Sequence, residues 1–395
     1  MQAEVNIGLM GHVDHGKTSL TRALTGKWTD THSEELKRGI SIRLGYADAE
    51  IRYCQPCDRY TTEEKCPECG KQTELKRRVS FLDAPGHETL MTTVISASSI
   101  MDGAVLLIAA NEDCPQPQTV EHLMVLDMLG IKNIVVVQTK IDLVSKDDAK
   151  AHYEKIKEFI KGSVAEGAPI IPVVANYKIN IGEVSRAIEE NIPTPERDPN
   201  APPLLYVSRS FDVNKPGMDV SSMKGGVVGG SLLRGKFSPG DKIAFLPGID
   251  REGKPPKPVT TEISSLMCEG GTLEEAHPGG LIAVGTKLDP SITKGDSLIG
   301  CAVGAPGSLP PVLGELDIAY TPLERTEFEN PPPKPGEPVV ISAQTSTTVG
   351  VISGYKKGKA SIKLKKPVAV EKDSTVALSR RTGQRWRLCG WGKVQ

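Results

Sequence analysis

The chain has 395 residues, which suggests two to three domains at roughly 150 residues each. Its 48 basic and 49 acidic residues leave a net charge of -1, which excludes a bulk polycation but allows a local basic face. Because no charged leader precedes an apolar segment and no run approaches the ~18 apolar residues of a membrane span, we expect a cytoplasmic protein with no membrane partner.

Apolar runs alternate with helical patterns over residues 1–200. The runs that predict strands are VNIGLM (5–10), RRVSFLDAPG (77–86), GAVLLIAA (103–110), NIVVVQTK (133–140) and APIIPVVA (168–175). The helical patterns cover residues 18–25, 115–130, 146–161 and 181–191. Strands that alternate with helices of this length predict an α/β domain with a parallel sheet covered on both faces.

The pattern changes after the proline-rich linker NIPTPERDPNAPP (191–203). Beyond it, short β-type runs are interrupted by Gly and Pro, of which the whole chain has 39 and 30. The break GAPGSLPP (304–311) divides these runs into two blocks. Short strands of this kind typically close into barrels, so we predict two all-β barrel domains at residues 201–307 and 308–395.

A phosphate-binding loop is predicted at GHVDHGKT (11–18), which follows the first strand and opens the first helix. The stretch matches G-x-x-x-x-G-K-[ST], whose backbone amides and helix N-terminus bind phosphates. Lys17 would reach the β- and γ-phosphates, and the Thr18 hydroxyl would ligate Mg²⁺. The strand-to-helix context is the one that this motif requires.

The next motif, DAPGH (83–87), stands at the end of a predicted strand. Asp83 can hold Mg²⁺ through water, and the Gly86 N–H can bond the γ-phosphate. His87 follows on a segment that would move with the γ-phosphate, where it can orient a water molecule for attack. A purely structural histidine is the alternative for this position.

The stretch TKID (139–142) follows a predicted strand and matches the N-K-x-D guanine motif at Lys140 and Asp142. An aspartate there can accept hydrogen bonds from the N1–H and N2–H₂ groups of guanine, which adenine cannot supply. Its order behind the other two motifs predicts GTP rather than ATP. Taken alone, a K-x-D triplet also fits a solvated loop.

Four cysteines form two C-x-x-C pairs in the insert at residues 53–70, namely Cys54, Cys57, Cys66 and Cys69. Four thiolates around one ion leave no position for water, so the spacing predicts structural Zn²⁺ rather than a catalytic metal. Two local disulfides are the alternative, which a reducing cytosol disfavours.

The motifs in this order resemble those of the translational GTPases related to elongation factor Tu. The stretches that carry this likeness are GHVDHGKT, RGISI (38–42), DAPGH, PQPQT (115–119) and TKID. The likeness is closer to the γ-subunit family of archaeal and eukaryotic initiation factor 2, and it covers essentially the whole chain. The features that point there are WTDTHSEELKRG (28–39), the cysteine insert, IPVVANYKINI (171–181), SFDVNKPG (210–217), KGGVVGGS (224–231), KPVAV (366–370) and RWRLCGWG (385–392).

This resemblance implies an α/β P-loop GTPase domain followed by two all-β barrel domains. It also implies that the GTP form carries methionylated initiator tRNA to the small ribosomal subunit and releases it after hydrolysis. The γ subunit of the family is the core of a heterotrimer, joined by α and β subunits. We expect slow hydrolysis that a partner stimulates, because no arginine is placed as a finger in cis. An elongation-type carrier of elongator or selenocysteinyl tRNA is the alternative.

The resemblance also assigns site residues. The nucleotide site it implies comprises Asp14, His15, Gly16, Lys17, Thr18 and Ser19 in the phosphate loop, together with Ala175, whose N–H would meet guanine O6. Thr18 and Ser41 would ligate Mg²⁺. Asp14 and Gly39 match positions associated with a second Mg²⁺.

Three positions depart from the family pattern. Ser41 stands in place of Thr, Thr139 in place of the Asn of N-K-x-D, and Val174 in place of the Ser of an S-A motif. Thr139 lacks the side-chain amide that helps to tie the base-reading loop to the phosphate loop. We therefore expect Asp142 to keep guanine selectivity while affinity falls by on the order of 1–2 kcal/mol. The lysine-rich stretch GYKKGKASIKLKKP (354–367) is either a tRNA contact or a solvated face.

Overall fold

The N-terminal part of the chain is built on buried apolar strands, as their uninterrupted hydrophobic runs predict. In the computed structural model the chain divides into two compact units, residues 3–196 and residues 1–2 with 197–395. The structure describes residues 1–29, 44–87, 90–215, 217–219, 222–251, 254–325, 328–383 and 385–395.

A seven-stranded sheet forms the centre of the first unit. Its strands are β1 Val5–Gly11, β2 Gly45–Cys54, β3 Arg59–Thr61, β4 Glu74–Asp83, β5 Gly103–Ala109, β6 Ile134–Thr139 and β7 Ile170–Pro172. The order across the sheet is β3-β2-β4-β1-β5-β6-β7, and the run from β4 to β7 is parallel. Strands β2 and β3 extend one edge in antiparallel pairing.

Five helices belong to this unit within the described residues. They are α1 Lys17–Thr25, α2 Met91–Ser98, α3 Pro117–Leu129, α4 Lys146–Ile160 and α5 Ile181–Asn191. Local chemistry sets their ends: the Ser145 side chain accepts a 3.1 Å hydrogen bond from the Asp148 N–H at the start of α4, and Gly130 takes a left-handed conformation after α3. Helices α1 and α5 pack on the sheet through one buried apolar cluster.

The second unit begins with a sheet closed on itself. Its strands are β8 Leu204–Phe211, β9 Val227–Arg234, β10 Lys242–Arg251, β11 Lys254–Cys268, β12 Gly271–Leu273, β13 Ile282–Thr286 and β14 Ala302–Gly304, with a short helix α6 at Pro290–Thr293. The order is β10-β14-β8-β9-β13-β11-β12, and pairing of β10 with β11 closes a six-stranded ring. Two phenylalanines, Phe237 and Phe245, are fully buried in its core.

A second closed barrel completes the chain. Its strands are β15 Val312–Pro322, β16 Pro338–Ala343, β17 Ser346–Lys356, β18 Lys359–Ala369, β19 Thr375–Thr382 and β20 Arg385–Val394, in the order β15-β18-β17-β16-β19-β20. The predicted α/β domain followed by two β-barrels is confirmed. The domain boundaries at residues 200 and 307 stay predictions. None of the helices in the described part of the chain has the length and apolarity that spanning a membrane requires.

Candidate functional site

The phosphate loop connects β1 to α1 and contains three residues with positive φ. Gly11 has a φ of 145° and Gly16 one of 85°, and a Cβ at Gly11 would lie 2.4 Å from the Leu107 carbonyl oxygen. Asp14, at a φ of 61°, is exposed. Glycine is required where the backbone turns this tightly against a neighbouring strand.

The loop holds its lysine inward. Lys17 is buried, and its Nζ donates to the carbonyl oxygens of Gly11 at 2.9 Å and His12 at 2.7 Å. Its ammonium group is therefore fixed inside the curve of the loop that the motif predicts to surround phosphates. Ser19 follows Thr18 in the first turn of α1, and both are partly buried.

Two side chains that are predicted to hold Mg²⁺, those of Thr18 and Asp83, are in contact at the end of β4. Thr18 Oγ1 donates to Asp83 Oδ2 at 2.8 Å, and the same oxygen accepts a 2.6 Å hydrogen bond from Thr29 Oγ1. Hydroxyl and carboxylate oxygens are the ligands that Mg²⁺ prefers, so this donor set fits that ion. Sequence reasoning missed Thr29, although it stands in the WTDTHSEELKRG stretch. Ser41 and Gly39, the other predicted ligands, lie outside the described residues.

Gly86 is held against the phosphate loop. A Cβ at this position would lie 2.5 Å from Lys17 Nζ and 2.8 Å from the Val13 backbone nitrogen. Only a residue without a side chain can bring its backbone this close to the phosphate lysine. His87 follows and is partly buried, and its carbonyl oxygen accepts from the Leu90 N–H at 2.9 Å. Its catalytic role stays a prediction.

The end of β6 is connected directly to the phosphate loop. Thr139 is buried, and its Oγ1 donates to the His15 carbonyl oxygen at 2.8 Å. The Thr139 hydroxyl thus keeps one connection between the base-reading loop and the phosphate loop, although the asparagine amide that usually makes this connection is absent. Lys140 turns the chain with a φ of 57° into a 3₁₀ turn over Ile141–Leu143, which leaves Asp142 exposed at the carboxyl end of the sheet.

The neighbouring strand β7 leads to the predicted O6 contact. Ala175 begins a 3₁₀ turn over Ala175–Tyr177 and is partly buried. Val174 is buried and exchanges backbone hydrogen bonds with Ile179, at 3.3 Å and 3.0 Å. Since β6 and β7 pair in parallel, Asp142 and Ala175 follow adjacent strands at one edge of the sheet, where α/β folds bind ligands.

Neutral histidines lie behind the phosphate loop. The His15 ring is fully buried, with Nδ1 2.9 Å from the Leu107 carbonyl oxygen and Nε2 3.3 Å from Glu112 Oε2. Burial lowers the pKa of His15 to about 4, against the opposing effects of the Leu107 carbonyl oxygen and of Glu112. Burial also holds the pKa of His122 well below its usual value, and its Nδ1 accepts from the Gly11 N–H at 2.6 Å. Sequence reasoning missed His122, which follows the PQPQT stretch.

The four cysteines of the insert converge. Their sulfur atoms all lie within 4.8 Å of one another, and Cys54 and Cys69 are 3.6 Å apart. That separation is too long for a disulfide and close to the ~3.8 Å edge of a tetrahedral Zn–S site. The second pair lies on a turn in which the Cys66 N–H donates to the Lys71 carbonyl oxygen at 2.8 Å. Backbone N–H donation lowers the pKa of the Cys66 thiol to about 6, which favours the thiolate that Zn²⁺ binds. The hydrogen bond with Cys69 raises the pKa of Cys57 to about 12, and burial raises the pKa of Cys54.

Two protein families match this chain. Residues 2–194 match the elongation factor Tu GTP binding domain, and residues 315–394 match the C-terminal domain of initiation factor eIF2 gamma. The first match covers the site described above, and the second covers most of the last barrel.

Curated relatives match over the full length. The chain is 56% identical over 402 residues to the translation initiation factor 2 subunit gamma of Methanocaldococcus jannaschii, covering 100% of this chain and 98% of that one. The same subunit is 53% identical over 405 residues in Methanococcus aeolicus, with coverage of 100% and 99%. In Pyrococcus abyssi it is 54% identical over 402 residues, with coverage of 100% and 98%.

Solved structures share the architecture. A bacterial selenocysteine-specific elongation factor gives a TM-score of 0.76 at 25% identity, covering 99% of this chain and 58% of that one. The elongation factor SelB from Methanococcus maripaludis, in complex with the GTP analogue GPPNHP, gives 0.75 at 20% identity, covering 100% and 79%. The identity at that level shows the fold alone.

The initiation-type interpretation is thus favoured over the elongation-type alternative, since full-length identity to the gamma subunits is about twice that to the elongation factors. The chain belongs to the family of translation initiation factor 2 gamma subunits, translational GTPases that use GTP, GDP and Mg²⁺.

Proposed function

We propose that this chain is the GTP-binding core of a heterotrimer with the α and β subunits of initiation factor 2. In the GTP state it carries methionylated initiator tRNA to the small ribosomal subunit, and it releases the tRNA after hydrolysis. The observation that carries this proposal is the full-length likeness to gamma subunits, combined with an intact phosphate loop joined to Asp83 through Thr18.

The phosphate loop and the start of α1 bind the phosphates. The backbone N–H groups from Asp14 to Ser19 bind the phosphates, and Lys17 supplies a positive charge to the β- and γ-phosphates. Thr18 and Ser41 would be the direct ligands of Mg²⁺, and Asp83 would hold it through water. When bound, Mg²⁺ would supply neutralisation of the negative charge on the phosphates. The 2.8 Å hydrogen bond between Thr18 and Asp83 supports this assignment. Asp14 and Gly39 are the candidates for a second Mg²⁺.

Recognition of the γ-phosphate falls to Gly86, and His87 orients the attacking water. Gly86 is suited to this role because its backbone already lies against Lys17 and Val13. One histidine beside Mg²⁺ compensates the developing negative charge only in part, so intrinsic hydrolysis is slow and a partner stimulates it.

Guanine is read by the loops after β6 and β7. Asp142 accepts from guanine N1–H and N2–H₂, Ala175 N–H donates to O6, and Lys140 packs against the base. Thr139 fixes this end of the site to the phosphate loop through the His15 carbonyl oxygen.

The cysteine cluster binds one structural Zn²⁺. Four sulfurs within 4.8 Å of one another support this assignment, and four protein ligands leave no open position for catalysis.

Contact with the tRNA backbone falls to the lysines of β18. Lys363 and Lys365 alternate with the buried residues Ile362 and Leu364, so both lysines are on the outer face of the last barrel. Lysines two residues apart on the outer face of a strand can neutralise successive phosphates.

Binding of tRNA in different nucleotide states tests the proposal. Affinity for methionylated initiator tRNA is measured with a non-hydrolysable GTP analogue, with GDP and without nucleotide, each with and without the α and β subunits. We expect the GTP analogue to give the tightest binding and a methionylated elongator tRNA to bind more weakly. Equal affinity for the two tRNAs, or equal affinity with GTP analogue and GDP, contradicts the proposal.

A further inference from the structure

The cysteine insert packs against the helix that follows the guanine loop. We call residues 54–73 the knuckle and residues 174–180 the base loop, which leads directly into α5. Gly182, in the first turn of α5, is buried, and a Cβ there would lie 2.6 Å from the Tyr60 carbonyl oxygen. Strand β3 of the knuckle therefore lies against α5 only because residue 182 has no side chain.

An arginine holds the two segments together one turn further along α5. Arg186 donates from its guanidinium to the Asp58 carbonyl oxygen at 2.6 Å. The guanidinium carbon also lies 5.7 Å from the centre of the Tyr60 ring, within the range of a cation–π contact. Tyr60 in turn packs on the apolar cluster that contains Val184 and Ile188 of α5. The knuckle is thus part of the packing that fixes the position of this helix.

A salt bridge links the knuckle to the base loop itself. Lys178 Nζ lies 2.9 Å from Glu63 Oε1. Both side chains are largely exposed, so this pair contributes little alone. The backbone at Glu63 is held in place from within the knuckle, because the carbonyl oxygens of Glu63 and Glu64, at 2.8 and 2.9 Å, share the one hydroxyl hydrogen of Thr73.

We propose that the knuckle positions the base loop for guanine recognition, with Gly182, Arg186 and Lys178 as the positioning residues. The base loop is short, and it is closed by the Val174–Ile179 backbone hydrogen bonds and by the Asn180 side-chain amide, which donates to the Pro172 carbonyl oxygen at 2.8 Å. The loop ends where α5 begins, and the knuckle contacts the first turn of α5. The inference rests on the proposed contact between Ala175 N–H and guanine O6. An N–H that is displaced by a few tenths of an ångström loses much of such a bond.

The substitution Gly182→Ala tests the contact directly. Alanine is the better helix former, so the helix itself is not weakened. The added methyl meets the knuckle, at 2.6 Å from the Tyr60 carbonyl oxygen and 3.3 Å from Arg59 Nε. We expect the affinity for GDP to fall about tenfold, the loss that corresponds to one hydrogen bond to the base. Glu190→Ala, at an exposed position of the same helix, is the matched control and should bind GDP as the unmodified chain does.

A second nucleotide separates positioning from general damage. The diphosphate of 2-aminopurine riboside has no O6, so its affinity should be the same for Gly182→Ala and for the unmodified chain. Charge exchange adds a rescue: Lys178→Glu and Glu63→Lys should each weaken GDP binding about twofold, and the double variant should restore it. Equal losses for both nucleotides, or no loss of GDP affinity in Gly182→Ala, overturn the inference.

The substitution Asp142→Asn tests the proposed base site separately. An amide at this position should reduce GDP affinity and favour xanthosine diphosphate, whose C2 oxygen accepts the hydrogen bond that the amide donates. If Asp142→Asn leaves GDP affinity unchanged, the proposed base site itself is wrong. If it acts as expected while Gly182→Ala has no effect, only the role of the knuckle is wrong.

Discussion

The Thr139 hydroxyl donates a 2.8 Å hydrogen bond to the carbonyl oxygen of His15, which fastens the base-reading strand β6 to the phosphate loop. Both atoms are buried, so the bond is not replaced by water when it is broken. A single hydroxyl thereby links the segment that reads the base with the segment that binds phosphate.

Removing this hydroxyl should weaken nucleotide binding. Thr139→Val keeps the shape of the side chain and leaves the His15 carbonyl oxygen without its donor. We expect affinity for GDP and GTP to fall by about 1–2 kcal/mol, measured by nucleotide titration. Thr139→Ser, which keeps the hydroxyl, is the control. Unchanged affinity in Thr139→Val would mean that the bond does not support the nucleotide site.

Introducing the amide of the family motif should have the opposite effect. Since the hydroxyl already supplies one connection, we expect Thr139→Asn to raise GTP affinity by about 1 kcal/mol, the lower end of the range expected from the sequence. The same titration measures the change. Equal GTP affinities in Thr139→Asn and the unmodified chain would show that the departure costs nothing.

Much of this site follows from sequence order, because each motif stands at the end of a strand. The motifs predicted that Thr18 and Asp83 hold one Mg²⁺ and that the four cysteines hold one Zn²⁺; the structure has Thr18 in contact with Asp83 and the four sulfurs together. The edge strands β2 and β3 were not predicted, because they lack the continuous apolar run of the inner strands. The apolar and polar residues that alternate in GYADAEIRYC are the signal that could have found β2. Helix α2 was missed too, since its β-branched residues favour helix weakly.

Contacts between distant segments could not be predicted from the sequence. The docking of Gly182 against Tyr60 depends on the absence of a side chain at one position and on a backbone oxygen at another. The hydrophobic periodicity of the sequence does not indicate such a contact. The bond from Gly11 N–H to His122 is invisible for the same reason, because its partners come from β1 and α3.

Hydrolysis should depend on His87 far more than binding does. We expect His87→Ala to slow single-turnover GTP hydrolysis by about 10²-fold or more, since the side chain acts on the attacking water. GTP affinity should change little. His277→Ala, which removes an exposed histidine of the second unit, is the control. Unaffected hydrolysis in His87→Ala would contradict its catalytic role.

Acid should destabilise the first unit through His122. Burial lowers the pKa of this histidine below the value near 6.5 that it has when unfolded, so the unfolded state binds more protons as the pH falls below 6.5. Its contribution to stability is therefore complete above that pH and is lost on acidification, by up to about 1.4 kcal/mol per pH unit. Urea unfolding at pH 7 and pH 5 measures the loss.

The variant His122→Asn isolates this contribution. An asparagine oxygen can still accept from the Gly11 N–H but does not titrate in this range. We expect the variant to lose less stability between pH 7 and pH 5 than the unmodified chain. His277→Asn should leave the pH dependence as it is. An identical pH dependence in His122→Asn would mean that His122 is not the titrating group.

Zinc should be present at one ion per chain in freshly reduced protein. Cys69→Ala removes an exposed ligand of the cluster and should abolish stoichiometric zinc and lower the melting temperature of the first unit. Cys268→Ala, a cysteine of the second unit, should retain zinc. Elemental analysis decides the matter, and protein that contains no zinc before any substitution contradicts the assignment.

Charge reversal on β18 should reveal whether its lysines contact tRNA. If Lys363 and Lys365 neutralise phosphates, Lys363→Glu with Lys365→Glu should weaken binding of initiator tRNA and reduce the slope of log affinity against log salt by about 2, roughly one for each contact. Lys150→Glu with Lys155→Glu, both at exposed positions of α4, makes the same change in net charge and is the control. A lower affinity with an unchanged slope would reflect damage to the barrel. Unchanged affinity and slope would show that the lysines form a solvated face, since a phosphate contact cannot be lost without releasing fewer counterions.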